Sequence, residues 1–187
     1  MNTPNKLTLL RVILIPLFMF FFLLCGQVGL YLALVTFILA TLTDNLDGYL
    51  ARKHKQVTTF GKLMDPLADK LLIIAALICF LAQDVQFLNA WVVMIIIARE
   101  LIVTGIRLIA MSENKVIAAS MWGKLKTVTQ FIMVVAVIVN CIVDTYRTSP
   151  GGVGNFIVLI LVIIAVAMTV LSGCDYIWKN RQLIKFE

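Results

Sequence analysis

The chain has 187 residues, of which 61% are hydrophobic and 14% charged, with a mean hydropathy of +1.01 and a formal net charge of +6. Soluble domains carry about 25% charged residues, so this composition excludes one and points to an integral membrane protein. The positive balance reads as a topology signal rather than a nucleic-acid signal, because basic residues collect in cytoplasmic loops and no basic run interleaved with aromatics is present.

In chain order, six apolar segments stand out, at residues 7–25, 30–49, 63–82, 89–111, 121–143 and 153–178. Each is near the roughly 20 residues a helix needs to cross the hydrocarbon core, which predicts an all-α bundle of six transmembrane helices in one domain, residues 1–187. The first segment opens "MNTPNKLTLLRVILIP" and has a basic start like that of a signal peptide. Thr8 and Arg11 interrupt it, and no small-residue cleavage pattern follows, so it reads as a retained first membrane helix. Gly26 and Gly29, then Gln83–Asp84, then "SPGGVG" punctuate the connections. The four cysteines, Cys25, Cys79, Cys141 and Cys174, show neither a CxxC pair nor zinc spacing and read as small buried hydrophobes.

Fourteen of the sixteen lysines and arginines fall on one side if both termini are cytoplasmic; Arg147 falls outside and Arg99 within the fourth helix. That asymmetry predicts a multi-pass protein of the cell membrane whose acidic cluster faces the cytoplasm.

The second and third segments meet at "DNLDGYLARKHKQVTTFGKLMDPLADK". Asp44 and Asp47 are three apart and Asp65 and Asp69 four apart, spacings that place each pair on one helical face. Residues 48–64 are expected to form the turn that lets the pairs converge, and Pro66 suits the first turn of the third helix. Four carboxylates in one pocket would repel unless cations joined them. An all-carboxylate set suits hard ions such as Mg²⁺ or Mn²⁺, and four carboxylates have room for two, as in phosphoryl chemistry. Gly48 and Gly61 allow close backbone approach, and Arg52 offers a planar fork for a diphosphate. Helix capping alone would account for one DxxD pair, but not for four aspartates in register with two glycines and an arginine, since intramembrane charge is seldom idle.

The pattern Asp44-x2-Asp47-Gly48-x2-Ala51-Arg52-x8-Gly61-x3-Asp65-x3-Asp69 resembles the complete signature of the CDP-alcohol phosphatidyltransferases. That resemblance implies transfer of a phosphatidyl group from CDP-diacylglycerol to an alcohol with release of CMP. It implies two divalent metals held by the four aspartates, Asp69 as general base, a CDP site lined by Gly48, Ala51, Arg52 and Gly61, and a homodimer. Which aspartate is the base does not follow from spacing.

For the acceptor, Arg107, Lys124 and Lys126 are candidates for a basic pocket that takes a phosphate. For Lys126, a snorkelling interfacial anchor is an equal alternative. Arg99 and Glu100 read as an internal polar network. "PNKLTLLRVILIP", "REL…R" and "GKLKT" are similar to the bacterial branch of the family that makes phosphatidylglycerol phosphate, which implies sn-glycerol 3-phosphate as acceptor. It also implies Thr8 at the CDP-diacylglycerol site, with Asn5 and Arg11 as further polar candidates near the nucleotide or the acceptor. Serine, inositol phosphate and phosphatidylglycerol are the alternative acceptors. His54 reads as a solvated loop residue; Trp91, Trp122, Trp178, Tyr146 and Tyr176 read as interfacial belt residues.

Two other classes compete. A cation transporter would need polar residues along several helices to the outer side, and a membrane prenyltransferase usually shows two separate aspartate-rich motifs; the chain shows neither.

Overall fold

The computed structural model describes residues 3–54, 59–112, 121–146 and 152–181, and side chains within 10–43, 70–110, 121–146 and 152–181. Among them every regular element is helical: α1 Thr3–Leu24, α2 Gly26–His54, α3 Thr59–Ala82, α4 Ala90–Ser112, α5 Met121–Asp144 and α6 Val153–Lys179. Each predicted segment corresponds to one helix. Among the described residues three stretches are long and apolar enough to cross a membrane, at Gly26–Thr43, Met121–Asp144 and Val153–Lys179. Shorter apolar stretches run over Leu10–Leu24 and Lys70–Ala82. α4 differs because it carries Arg99, Glu100 and Arg107.

The chain divides into two compact units. The first comprises Met1–Gln83 and Val137–Pro150. In it α1 packs along α2 and, less extensively, α3. Only Cys25 separates α1 from α2, and Gly26 takes a φ of +56°, which L side chains rarely adopt. A side chain at Gly29 would collide with the Phe21 carbonyl and the Cys25 side chain, so the tight reversal depends on both glycines. The core is aromatic. The Phe18 ring lies 5.8 Å from Phe37 and 5.9 Å from Phe22, and Phe22 lies 5.4 Å from Phe80. Buried Ala33, Ala40, Ala75 and Ala76 let the backbones approach around these rings. Thr36, Thr41 and Thr43 donate to the carbonyls of Leu32, Phe37 and Ala40, so their hydroxyls need no water.

The second unit comprises Asp84–Ala136 and Gly151–Glu187, and in it α4 packs on α6. Asn89 caps α4, its Oδ1 accepting from the Val92 N–H at 3.0 Å. Asn155 of α6 donates to Gln86 at 2.6 Å. Outward-facing Met94, Leu101, Phe156, Ile163 and Leu171 are exposed. An exposed apolar face of this kind is suited to lipid rather than water.

Several expectations are corrected. α2 continues to His54 and α3 begins at Thr59, so four residues rather than seventeen separate them. The run Leu50–Ala51–Arg52–Lys53 consists of strong helix formers and carries the helix through Gly48 at a cost of about 1 kcal/mol. His54 therefore closes a helix instead of lying in a loop, and Pro66 falls well inside α3 rather than in its first turn. Cys79 is buried as expected, but Cys174 is exposed on α6.

Candidate active site

The signature occupies the end of α2 and the first part of α3. On α2, Asp44, Asp47, Gly48, Ala51 and Arg52 follow at intervals of three, one, three and one residues, a single helical stripe. On α3, Gly61, Asp65 and Asp69 repeat every four residues, a second stripe. Their side chains lie outside the described ones, as do those of Asn5 and Thr8 on α1. Two carboxylates from each of two consecutive helices form a donor set whose chemistry fits hard divalent cations. Among the described side chains, which exclude these four aspartates, no group of three His, Cys, Asp or Glu could hold a metal.

The basic candidates separate sharply. Arg107 and Lys124 are exposed. Lys126 is 2% exposed and its ammonium forms an ion pair with Glu100, itself 1% exposed. Arg99 reaches the same Glu100 oxygen at 3.5 Å. The expected Arg99–Glu100 network is thus present, and Lys126 is part of it: its head is buried rather than snorkelled. Arg11 is buried in α1.

The polar interior extends along α5 and α6. Gln130, one turn after Lys126, donates to Thr169 Oγ1 at 3.1 Å, and Thr169 donates to the Ala165 carbonyl at 2.6 Å. Ser172 donates to the Thr169 carbonyl at 3.1 Å. Gly173 lies where a Cβ would come within 3.1 Å of Arg99 Cγ, so the missing side chain makes room for that arginine.

Sequence reasoning missed Tyr176. It was expected in the interfacial belt, yet it is 3% exposed, and the Arg107 guanidinium sits 5.6 Å from its ring centroid. The available signal was spacing: Thr169, Ser172, Gly173 and Tyr176 form one i, i+3, i+4, i+7 stripe, the buried face of α6. Trp91 and Trp178, by contrast, are exposed at helix ends as a belt requires. Tyr146 is exposed and accepts a hydrogen bond from Tyr31 at 3.3 Å.

Residues 1–172 match the CDP-alcohol phosphatidyltransferase family, and the chain belongs to it. Its relatives narrow the comparison. A Bacillus subtilis (strain 168) protein named CDP-diacylglycerol–glycerol-3-phosphate 3-phosphatidyltransferase is 41% identical over 98% of this chain and 97% of its own length. Proteins of the same name from Rickettsia typhi and Haemophilus influenzae are 32% and 41% identical. They cover 94% and 70% of this chain, and 94% and 72% of their own lengths.

Proposed function

We propose that the chain transfers the phosphatidyl group of CDP-diacylglycerol to sn-glycerol 3-phosphate, giving phosphatidylglycerol phosphate and CMP. The observation that carries this reading is the end-to-end likeness to relatives named for that reaction, together with a signature filled at every position.

In this reading the acceptor hydroxyl oxygen bonds to the phosphorus that carries diacylglycerol. The bond from that phosphorus to the departing CMP oxygen breaks. Asp69 takes the hydroxyl proton, a role a carboxylate in the pocket can fill. Asp44, Asp47, Asp65 and Asp69 would hold two Mg²⁺ or Mn²⁺ ions, which would supply charge neutralisation to the diphosphate. Arg52 grips the diphosphate, Gly48, Ala51 and Gly61 leave it backbone room, and Thr8 of α1 adds a polar contact, with Asn5 and Arg11 nearby in sequence. Arg107 and Lys124 bind the acceptor phosphate. The Glu100 pairing supports a different part for Lys126, that of a structural counter-ion to Glu100.

All six helices span the membrane in this account, with both termini and the aspartates on the cytoplasmic side, as the lysine and arginine asymmetry supports. Residues 1–187 act as one catalytic domain, and the protein works as a homodimer in the cell membrane. A transporter reading finds no support in the first unit. Beyond the aspartates, α2 from Gly26 to Thr43 and α3 after Lys70 carry no ionisable side chain other than Cys79 and Tyr31.

CMP release by the purified protein tests the reading, with glycerol 3-phosphate, serine, inositol phosphate or phosphatidylglycerol offered singly beside CDP-diacylglycerol and Mg²⁺. Release with glycerol 3-phosphate alone is expected. Release with a different alcohol would keep the transfer and overturn the acceptor.

A further inference from the structure

α6 is longer than the hydrocarbon core requires. Its 27 residues extend about 40 Å at 1.5 Å per residue, against a core of about 30 Å. The helix starts on the exposed apolar residues Val153 and Phe156, so the excess falls at its other end. The residues after Ser172, with Asp175, Trp178 and Lys179 among them, then lie at headgroup depth.

This end of α6 has two faces. Thr169, Ser172, Gly173 and Tyr176 form the buried one. Val170, Leu171, Cys174, Ile177 and Trp178 form an exposed apolar stripe. Arg181, just past the helix, continues that stripe at the same spacing and is exposed as well. Its guanidinium lies 5.3 Å from the centroid of the Trp178 ring, within cation–π range.

Nearby acceptors are already engaged. Asp175 pairs with Lys179 at 2.7 Å. The Tyr176 carbonyl accepts from the Asn180 backbone N–H at 3.1 Å and from its Nδ2 at 2.8 Å. Among the described residues no carboxylate or carbonyl takes a hydrogen bond from Arg181. The result is a planar fork of donors, steadied by an aromatic ring, at the upper end of a lipid-facing stripe.

A phospholipid matches both parts. It brings a phosphate to headgroup depth, where a guanidinium can bind it bidentately, and an acyl chain to the apolar stripe beneath. A zwitterionic headgroup carries its own cation beside the phosphate, so the net attraction favours anionic lipid. Free phosphate would match the fork and leave the stripe unused.

We infer that the C-terminal end of α6 is a binding surface for an anionic phospholipid. The lipid phosphate sits on Arg181 beside Trp178, and an acyl chain runs along Ile177, Cys174 and Val170. The surface lies on the side of α6 away from buried Tyr176, and it stands independently of the reaction proposed above.

The experiment uses Trp178 as its reporter. In the full-length chain carrying Trp91→Phe and Trp122→Phe, both at exposed positions, the remaining indole is quenched by phospholipids brominated in their acyl chains. Brominated phosphatidylglycerol and brominated phosphatidylcholine are titrated separately in detergent micelles. Phosphatidylglycerol should bind about fivefold more tightly, the preference expected of one basic side chain at a membrane surface. Arg181→Gln should bring the ratio to about one, and Arg181→Lys, which keeps the charge but loses the fork, should fall between. Lys185→Gln removes the same formal charge further along the sequence and should change the ratio by less than about twofold. Millimolar inorganic phosphate should not compete.

Equal quenching by the two lipids in the chain that retains Arg181 would overturn the assignment. Equal losses in Arg181→Gln and Lys185→Gln would also overturn it, by making the preference a diffuse effect of net charge. Competition by inorganic phosphate would replace the lipid with a soluble anion. A melting temperature lowered by Arg181→Gln in phosphatidylcholine alone would assign the arginine to the fold instead, against the inference.

Discussion

The two units solve the problem of a membrane interior in opposite ways. The first fills its centre with Phe18, Phe22, Phe37 and Phe80 among alanines. Its threonines bond back to their own helices, and its proposed chemistry sits at the ends of α2 and α3. The second buries Glu100, Thr104, Lys126, Gln130, Thr169 and Ser172, and its helices exchange polar contacts with one another through them. Dispersion and shape hold the apolar unit and tolerate compensation poorly, because a cavity stays a cavity. The polar unit depends on matched partners: removing one half of a pair exposes the cost of the other, and removing both can restore balance. The proposed reaction, on a water-soluble phosphorylated acceptor, would use both designs: a rigid frame for the aspartate-bearing helices and a polar interior on the helices that carry Arg107 and Lys124.

Five substitutions sharpen that contrast. The largest effect falls on catalysis: Asp69→Asn should lower turnover by about 10²–10⁴-fold while leaving the helical circular dichroism spectrum unchanged; near-normal turnover would remove Asp69 as the base. Next, Glu100→Gln removes the charge that pairs with the buried Lys126 ammonium and should destabilise the protein by about 3–5 kcal/mol in a detergent unfolding assay. Adding Lys126→Met should recover most of that loss, and a double variant no better than the single one would show that the pair does not act as a unit. Phe37→Ala should cost a comparable ~3–5 kcal/mol, yet no second substitution on the polar list should rescue it. The smallest effect belongs to Thr169→Val, which removes the oxygen that accepts from Gln130; hydrogen bonds between membrane helices average about 0.6 kcal/mol, so the expected loss is of that order.

What could be read directly from the sequence was whatever depends on local pattern. Six apolar runs gave six helices, and the aspartate spacing gave two stripes on the helices it marked. The length of the connection did not follow, because Gly48 and the polar run after it look like a turn, whereas the helix formers at Leu50–Lys53 extend α2 to His54. Partnership across helices was harder still. Lys126 sits among basic residues that look alike in sequence, and only its placement opposite Glu100 distinguishes a buried counter-ion from an anchor. Tyr176 shares its composition and its position near a helix end with Trp178, yet the first is buried and the second 72% exposed. Two residues around a helix separate the packed face from the lipid face, and periodicity along α6 was the only sequence signal that could tell them apart.

The most direct test of the central claim follows the carbon rather than the nucleotide. Radiolabelled glycerol 3-phosphate would be incubated with the purified chain, CDP-diacylglycerol and Mg²⁺, and the lipid would be extracted into organic solvent. The account predicts that label enters the lipid phase as phosphatidylglycerol phosphate, stoichiometric with CMP, and that both chelation of the metal and Asp69→Asn abolish it. Label confined to the aqueous phase, from folded protein given both substrates and metal, would contradict it.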